Sequence, residues 1–241
     1  MFRLSLLFPD TSYLALHIPD GFLSLPVSLF CWIATIILIV MALKHVQADY
    51  QERAVPLMGV CAAFIFAAQM INFPIPGGTS GHLLGGTLAG VLLGPWAGSL
   101  VMIVVFIVQA VFFQDGGLTV LGANTFNMGL IGTFAGYYVY RAIRFSFGRN
   151  SWRGMLIGVA VASWLSVVVA AVLTAGQLAL SGTVPLIVGL VAMLAWHVVI
   201  GIGEAIITVI AVGYIWRSRP DLLYDRPRPA QQQLAQDREK V

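Results

Sequence analysis

The sequence predicts an all-α protein, a polytopic membrane helix bundle of about seven transmembrane helices with its N-terminus outside and its C-terminus cytoplasmic. Three observations carry this prediction. Of 241 residues, 59% are hydrophobic and 10% charged, and the mean hydropathy is +0.90, whereas soluble domains hold roughly a quarter charged residues. The apolar residues fall into long runs divided by Gly, Pro or charge, the pattern of membrane-spanning helices. The basic residues gather in alternate connections, as the positive-inside effect requires. That placement accounts for the net charge of +3 without a nucleic-acid partner, which we exclude. Cys31 and Cys61 each lie within an apolar run and read as small core residues, not as a disulfide or a thiolate site.

Taken in order, residues 1–15 hold one basic residue, Arg3, and an apolar run from Leu4 to Phe8 that Pro9 and Asp10 end. That run is too short for a secretory leader. The segment reads as an extension, a mis-assigned start or a processed piece, ahead of a single transmembrane domain at 16–216. Candidate spans follow at 27–43, 55–72, 83–93, 96–113, 119–140, 154–180 and 186–216, with Gly94-Pro95 alone between the third and fourth. Lys44 and Arg53, then Arg141, Arg144, Arg149 and Arg153, then Arg217 and Arg219 mark three connections as cytoplasmic. The 73–82 loop, Gln114-Asp115-Gly116-Gly117 and Ser181-Gly182-Thr183 carry no basic residue and face outward. Both sets agree only if Gly94-Pro95 is a full turn, which gives seven crossings. The third span, about a dozen residues against the roughly 20 a crossing needs, is the short one. Residues 217–241, polar and rich in Arg, Asp, Gln and Pro, read as a cytoplasmic tail without a fold of its own.

Two histidines on the outward side carry a candidate chemistry. His17 stands in Leu16-His17-Ile18-Pro19-Asp20-Gly21-Phe22, ahead of the first span, and His82 follows Gly77-Gly78-Thr79-Ser80-Gly81, ahead of the third. Neutral imidazole suits nickel, cobalt, copper and zinc, and a nitrogen-rich tetragonal set favours late divalent ions. A chain beginning at Leu16 would make His17 its second residue, so that the terminal amine and the His17 backbone nitrogen join the ring in one chelate. The competing readings are an interfacial residue for His17 and a helix cap for His82. Thr79, Ser80 and Asn124 are candidates to orient a ring; Asp20 is either such a partner or, the favoured reading, a cap for the first helix.

Glu204 is the one acidic residue well inside an apolar span, with His197 seven positions earlier on nearly the same face. Such residues raise a proton-relay reading, in which the chain is a self-sufficient proton-coupled metal carrier; a structural buried pair is the alternative. Gln109, Thr125, Asn127 and Asn124 read as interhelical hydrogen-bonding groups. No phosphate loop of the Gly-x-x-x-x-Gly-Lys type, no His-Glu-x-x-His pair and no Gly-x-Ser-x-Gly elbow is present. An enzyme is therefore not expected.

The residues His17-Ile18-Pro19-Asp20-Gly21-Phe22-Leu23, Ala62-Ala63-Phe64-Ile65-Phe66-Ala67, Gly81-His82 with Gly85-Gly86-Thr87, Gly116 to Met128, and Gly201-Ile202-Gly203-Glu204-Ala205 resemble a known family. It comprises the membrane-embedded substrate-capture (S) components of energy-coupling factor transporters for cobalt and nickel, the CbiM/NikM family. The resemblance runs from residue 16 through nearly the whole chain. It implies a seven-helix bundle that captures Co2+ or Ni2+ from outside and delivers it inward. It also implies a transmembrane coupling (T) component, two cytoplasmic ATPase subunits and often a small accessory membrane protein as partners, in the bacterial cytoplasmic membrane. The metal ligands it implies are the amine of Leu16, the backbone nitrogen and ring of His17, and the ring of His82. The fifteen extra residues depart from the pattern, since the amine ligand requires their absence.

Overall fold

The computed structural model describes residues 17–49, 55–70, 73–75, 79–148 and 150–225. Its elements are α1 (Leu25–Asp49), α2 (Val55–Gln69), β1 (Phe73–Ile75), β2 (Thr79–Gly81), α3 (Gly86–Phe112), α4 (Leu121–Asn124), a π-helical segment (Thr125–Ile131), α5 (Gly132–Ser146), α6 (Trp152–Leu180), α7 (Leu186–Ser218) and a 3-10 turn (Pro220–Leu222). The strands form one antiparallel pair with Phe73 opposite Gly81. Residues 1–15 and Leu16 lie outside the described residues, as do the side chains of Thr79 and Ser80.

The bundle is apolar on both its inner and outer faces, as a helix bundle solvated by lipid must be. Leu29, Phe30, Ile33, Ile36 and Ile37 of α1 and Ile187, Val191, Val199, Ile206 and Ile210 of α7 are exposed. Inward faces carry small residues that let helices approach closely. A Cβ on Gly201 of α7 would lie 2.9 Å from the Trp164 ring of α6, and one on Gly122 would lie 2.7 Å from the Trp32 ring of α1. Polar side chains close the gaps between helices. Asn127 and Gln177 exchange amide hydrogen bonds at 2.8 and 2.7 Å, which is the interhelical role the sequence predicts for Asn127. Gln109 likewise donates to the Gln69 side chain at 2.8 Å. Helix α6 begins where the Ser151 hydroxyl accepts from the Gly154 amide at 3.1 Å, an ordinary N-cap.

Helix α3 is not one straight rod. Gly94, at φ 78 and ψ 169, breaks the helical path just before Pro95, a backbone conformation open to glycine. A Cβ on Gly98 would lie 2.8 Å from the carbonyl carbon of Ala89, whereas nine residues of unbroken helix would separate them by about 13 Å. The chain therefore doubles back at Gly94-Pro95, and Gly98 is the contact point between a short arm and a long one. Four described helices, α3 counted as one, are long and apolar enough to cross a membrane, and α2 has 15 residues. A count of elements thus gives fewer separate rods than the seven expected, because the third and fourth candidate spans form one folded-back element.

Among the described residues, every Lys and Arg stands at the end of the bundle away from His17 and His82. Arg144 is buried there and donates to the Tyr140 hydroxyl at 2.9 Å, with its guanidinium 5.2 Å from the Trp216 ring. His45 stacks on Trp96 at 4.2 Å beside the Gly94 turn. The chain beyond α7 corrects one expectation, since residues 219–225 do have a fold. Tyr224 donates its amide to Val91 at 3.1 Å, its ring covers Gly94, and Asp225 accepts from the Tyr137 hydroxyl at 2.9 Å. An apolar anchor in this stretch, Leu223, is buried, and that burial is what a reading of the segment as uniformly polar misses.

Candidate metal centre

His17 and His82 are 65 positions apart in sequence, yet their rings meet with centroids 4.5 Å apart and planes inclined at 51°. Both are buried, at 5% and 4% exposure, and the edge of Phe106 closes one side, 5.5 Å from His17. Each histidine stands on a stretch without regular structure, so side chains from elsewhere must fix its backbone.

For His17 those side chains come from residues 115–124. Asn124 accepts from the Ile18 amide at 2.8 Å and donates to the Ile18 carbonyl at 3.1 Å, and the Gly117 amide donates to that same carbonyl at 3.0 Å. A Cβ on Gly117 would lie 2.4 Å from the Asp20 amide nitrogen, so only glycine allows this approach. Asp20 accepts from the amides of Leu118 and Thr119, at 3.1 and 2.8 Å, and from the Thr119 hydroxyl. The Thr119 hydroxyl, against a smaller opposing effect of burial and with help from these amides, holds the Asp20 carboxyl below its ordinary range. Asp20 thus anchors the chain that leads into α4. The expectation that it caps α1 is corrected: its lone pairs go to a connection 98 positions away.

For His82 the anchors come from α2 and α7. Both oxygens of Glu204 accept backbone amides, those of Leu84 and Gly85, at 2.8 Å each. Gln69 donates to the Leu84 carbonyl at 2.6 Å, and Gln109 holds Gln69 in turn. Gly85 has φ 78, and a Cβ there would meet the Ile65 side chain at 2.7 Å. Glu204 and His197 do not form the relay pair that their spacing permits. The Glu204 carboxylate is occupied by amides, and His197 turns its Nδ1 to the Met193 carbonyl at 2.6 Å.

The polar atoms of the rings show what the site can do. His82 Nδ1 lies 2.8 Å from the Leu83 carbonyl; a carbonyl only accepts, so Nδ1 carries the proton and Nε2 carries the lone pair. Nε2 of His17 and Nε2 of His82 are both buried without a hydrogen-bond partner. Leaving such an atom unsatisfied costs about 1–3 kcal/mol, a deficit that a metal ion on Nε2 of His82 would relieve. Burial, and then the neighbouring His17, push the His82 pKa down to about 4, which keeps the ring neutral and available as a ligand.

His17 Nδ1 lies 2.9 Å from Oδ1 of Asp115, a residue that sequence reasoning did not select. Burial alone would raise the Asp115 carboxyl, but the contact with His17 and the nearby His82 outweigh it and hold the group below its ordinary value. The signal for it was the outward loop Gln114-Asp115-Gly116-Gly117, which holds an acid and no base. Gln114 adopts φ 55, uncommon for a residue with a side chain.

Residues 17–222 match the family described as cobalt uptake substrate-specific transmembrane region, CbiM. The chain belongs to the CbiM family. A putative fused nickel transport protein NikMN of Archaeoglobus fulgidus is 40% identical over 222 residues, covering 91% of this chain and 72% of that one. A cobalt transport protein CbiM of Sorangium cellulosum is 33% identical, covering 86% of this chain and 94% of its own length. Among solved structures, a truncated transition metal transporter is 35% identical with a TM-score of 0.76, covering 83% of this chain and 98% of that one. CbiM relatives are thus named for metal transport and not for catalysis.

Proposed function

We propose that this chain is the metal-capturing membrane component of a cobalt or nickel uptake system, with His17 and His82 as the side chains that hold the Co2+ or Ni2+ ion in transit. The observation that carries the reading is the meeting of two buried imidazoles at 4.5 Å, with His82 Nε2 unpartnered and His17 Nδ1 against Asp115, on the end of the bundle that carries Asp20 and Asp115 and no described Lys or Arg. The positive-inside effect makes that end the outer one. Seven crossings follow if α1, α2, the two arms of α3, the α4–α5 rod, α6 and α7 each count once. The N-terminus is then outside and the C-terminus is cytoplasmic, in the bacterial inner membrane.

In a chain that starts at Leu16, the terminal amine and the His17 backbone nitrogen complete the nitrogen set. A ring nitrogen that closes a chelate with the backbone nitrogen of its own residue is Nδ1, so loading would exchange the Asp115 contact of His17 for the metal. Residues 1–15 are then an extension absent from the working protein. In this reading, as the resemblance to energy-coupling factor components implies, ATP hydrolysis belongs to two cytoplasmic ATPases acting through a transmembrane coupling component, with a small accessory membrane subunit as a further partner; a chain without a phosphate loop fits that division. The proton-coupled carrier reading has lost its main support, because both oxygens of Glu204 are engaged by the backbone that carries His82.

Reconstitution in vesicles tests the division of labour. Uptake of Ni2+ or Co2+ should require the ATPase partners and ATP; uptake by this chain alone, driven by a pH gradient and lost in Glu204→Gln, would restore the carrier.

A further inference from the structure

A third imidazole shares the features that mark His82 as a ligand. His197 of α7 is 2% exposed. Its Nδ1 lies 2.6 Å from the Met193 carbonyl, so Nδ1 carries the proton and the lone pair is left on Nε2. That Nε2 is buried and has no hydrogen-bond partner. The arrangement is the same as at His82: a backbone carbonyl fixes the tautomer and leaves one basic nitrogen facing the interior.

The helix places this nitrogen beside the centre. Glu204 is fixed to the amides of Leu84 and Gly85, and His197 stands seven residues earlier on α7, about 10 Å nearer the outer end. His82 precedes Leu84 by two residues of non-helical chain, about 7 Å in the same direction. The two rings therefore share a depth in the bundle, and β2, which leads into His82, packs against α7. Yet the described residues hold no preassembled cluster of three ligating groups, so His197 is near the pair without being part of it.

We propose that His197 is a third imidazole donor, a transient ligand that a divalent nickel or cobalt ion engages on its way into or out of the His17–His82 pair. This rests on the reading of that pair as the metal site. An intermediate ligand lowers the barrier in both directions and leaves the end states unchanged. It therefore alters rates and spares affinity.

The test is stopped-flow binding of Ni2+ to the purified full chain, with release followed after addition of excess chelator. His197→Ala and the polar, similarly shaped His197→Gln should each slow association and dissociation about tenfold, with Kd within about twofold of wild type. Unchanged rates in either variant, with its thermal unfolding intact, would overturn the proposal. So would a loss of affinity as large as that of His82→Ala, because His197 would then be a resident ligand. The parent reading fails separately, through retained affinity in the His17 and His82 variants.

Discussion

The two segments that present the histidines are held in different ways. His17 is seated by one neighbouring stretch, residues 115–124, through Asn124, Asp20 and the close pass of Gly117. His82 is seated by groups from separate helices, Gln69 of α2 and Glu204 of α7, with Gln109 of α3 behind them. One seat is local and should move as a unit. The other depends on the registry of α2 against α7, so a shift between those helices would withdraw His82 and leave His17 in place.

The comparison makes ordered predictions. In the proposed site, replacing either ring removes a ligand outright, so His17→Ala and His82→Ala should each weaken Ni2+ binding by about a thousandfold or more in calorimetric titration. Glu204→Gln replaces an acceptor oxygen with an amide donor facing two backbone amides. At about 1–3 kcal/mol for a broken buried bond, it should weaken binding about ten- to hundredfold. Asn124→Ala should act to a similar extent from the His17 side. A double-mutant cycle should then find Asn124→Ala and Glu204→Gln additive to within about 0.5 kcal/mol, since the Asn124 amide bonds Ile18 and the Glu204 carboxylate bonds Leu84 and Gly85, with no hydrogen-bond partner in common. A larger coupling would mean that the two seats are one unit. Gly117→Ala, which pushes a methyl group into Asp20, should cost several-fold in affinity, and Asp20→Asn less.

Asp20 also predicts a pH dependence. Its carboxyl is held below the ordinary value of 3.8 in the folded chain. Its contribution is therefore complete above that value and is lost as pH falls through the folded pKa. Wild type and Asp20→Asn should differ in thermal unfolding temperature near pH 6, and the gap should begin to close below about pH 3.8 and vanish once pH passes the lower folded value. A gap that persists into strong acid would deny the carboxylate its role.

Much of this was legible in the chain. Hydropathy and the placement of Lys and Arg locate the helices, and Gly94-Pro95 announces the reversal that Gly98 and Ala89 complete. The two histidines stand out in the sequence as candidate ligands because both lie in outward-facing stretches free of basic residues, and the structure brings their rings together. What stayed hidden depends on distance in sequence. Asp20 reads as a helix cap because caps are local, whereas its real partners are nearly a hundred positions away. Asp115 reaches His17 across a similar gap. Glu204 and His197 share a helical face and so look like a pair, but carboxylate and ring each turn to backbone groups. Residues 220–225 look like the start of a polar tail until Leu223 and Tyr224 are seen against the bundle.

The central claim is that one ion is held between His17 and His82. The most direct test is a Ni2+ and Co2+ titration of the purified protein, with its N-terminus determined on the same sample, beside the His17→Ala/His82→Ala double variant. The account predicts one ion per wild-type chain, a first residue at Leu16, and no specific binding by the double variant. A double variant that binds either metal with wild-type affinity would contradict it.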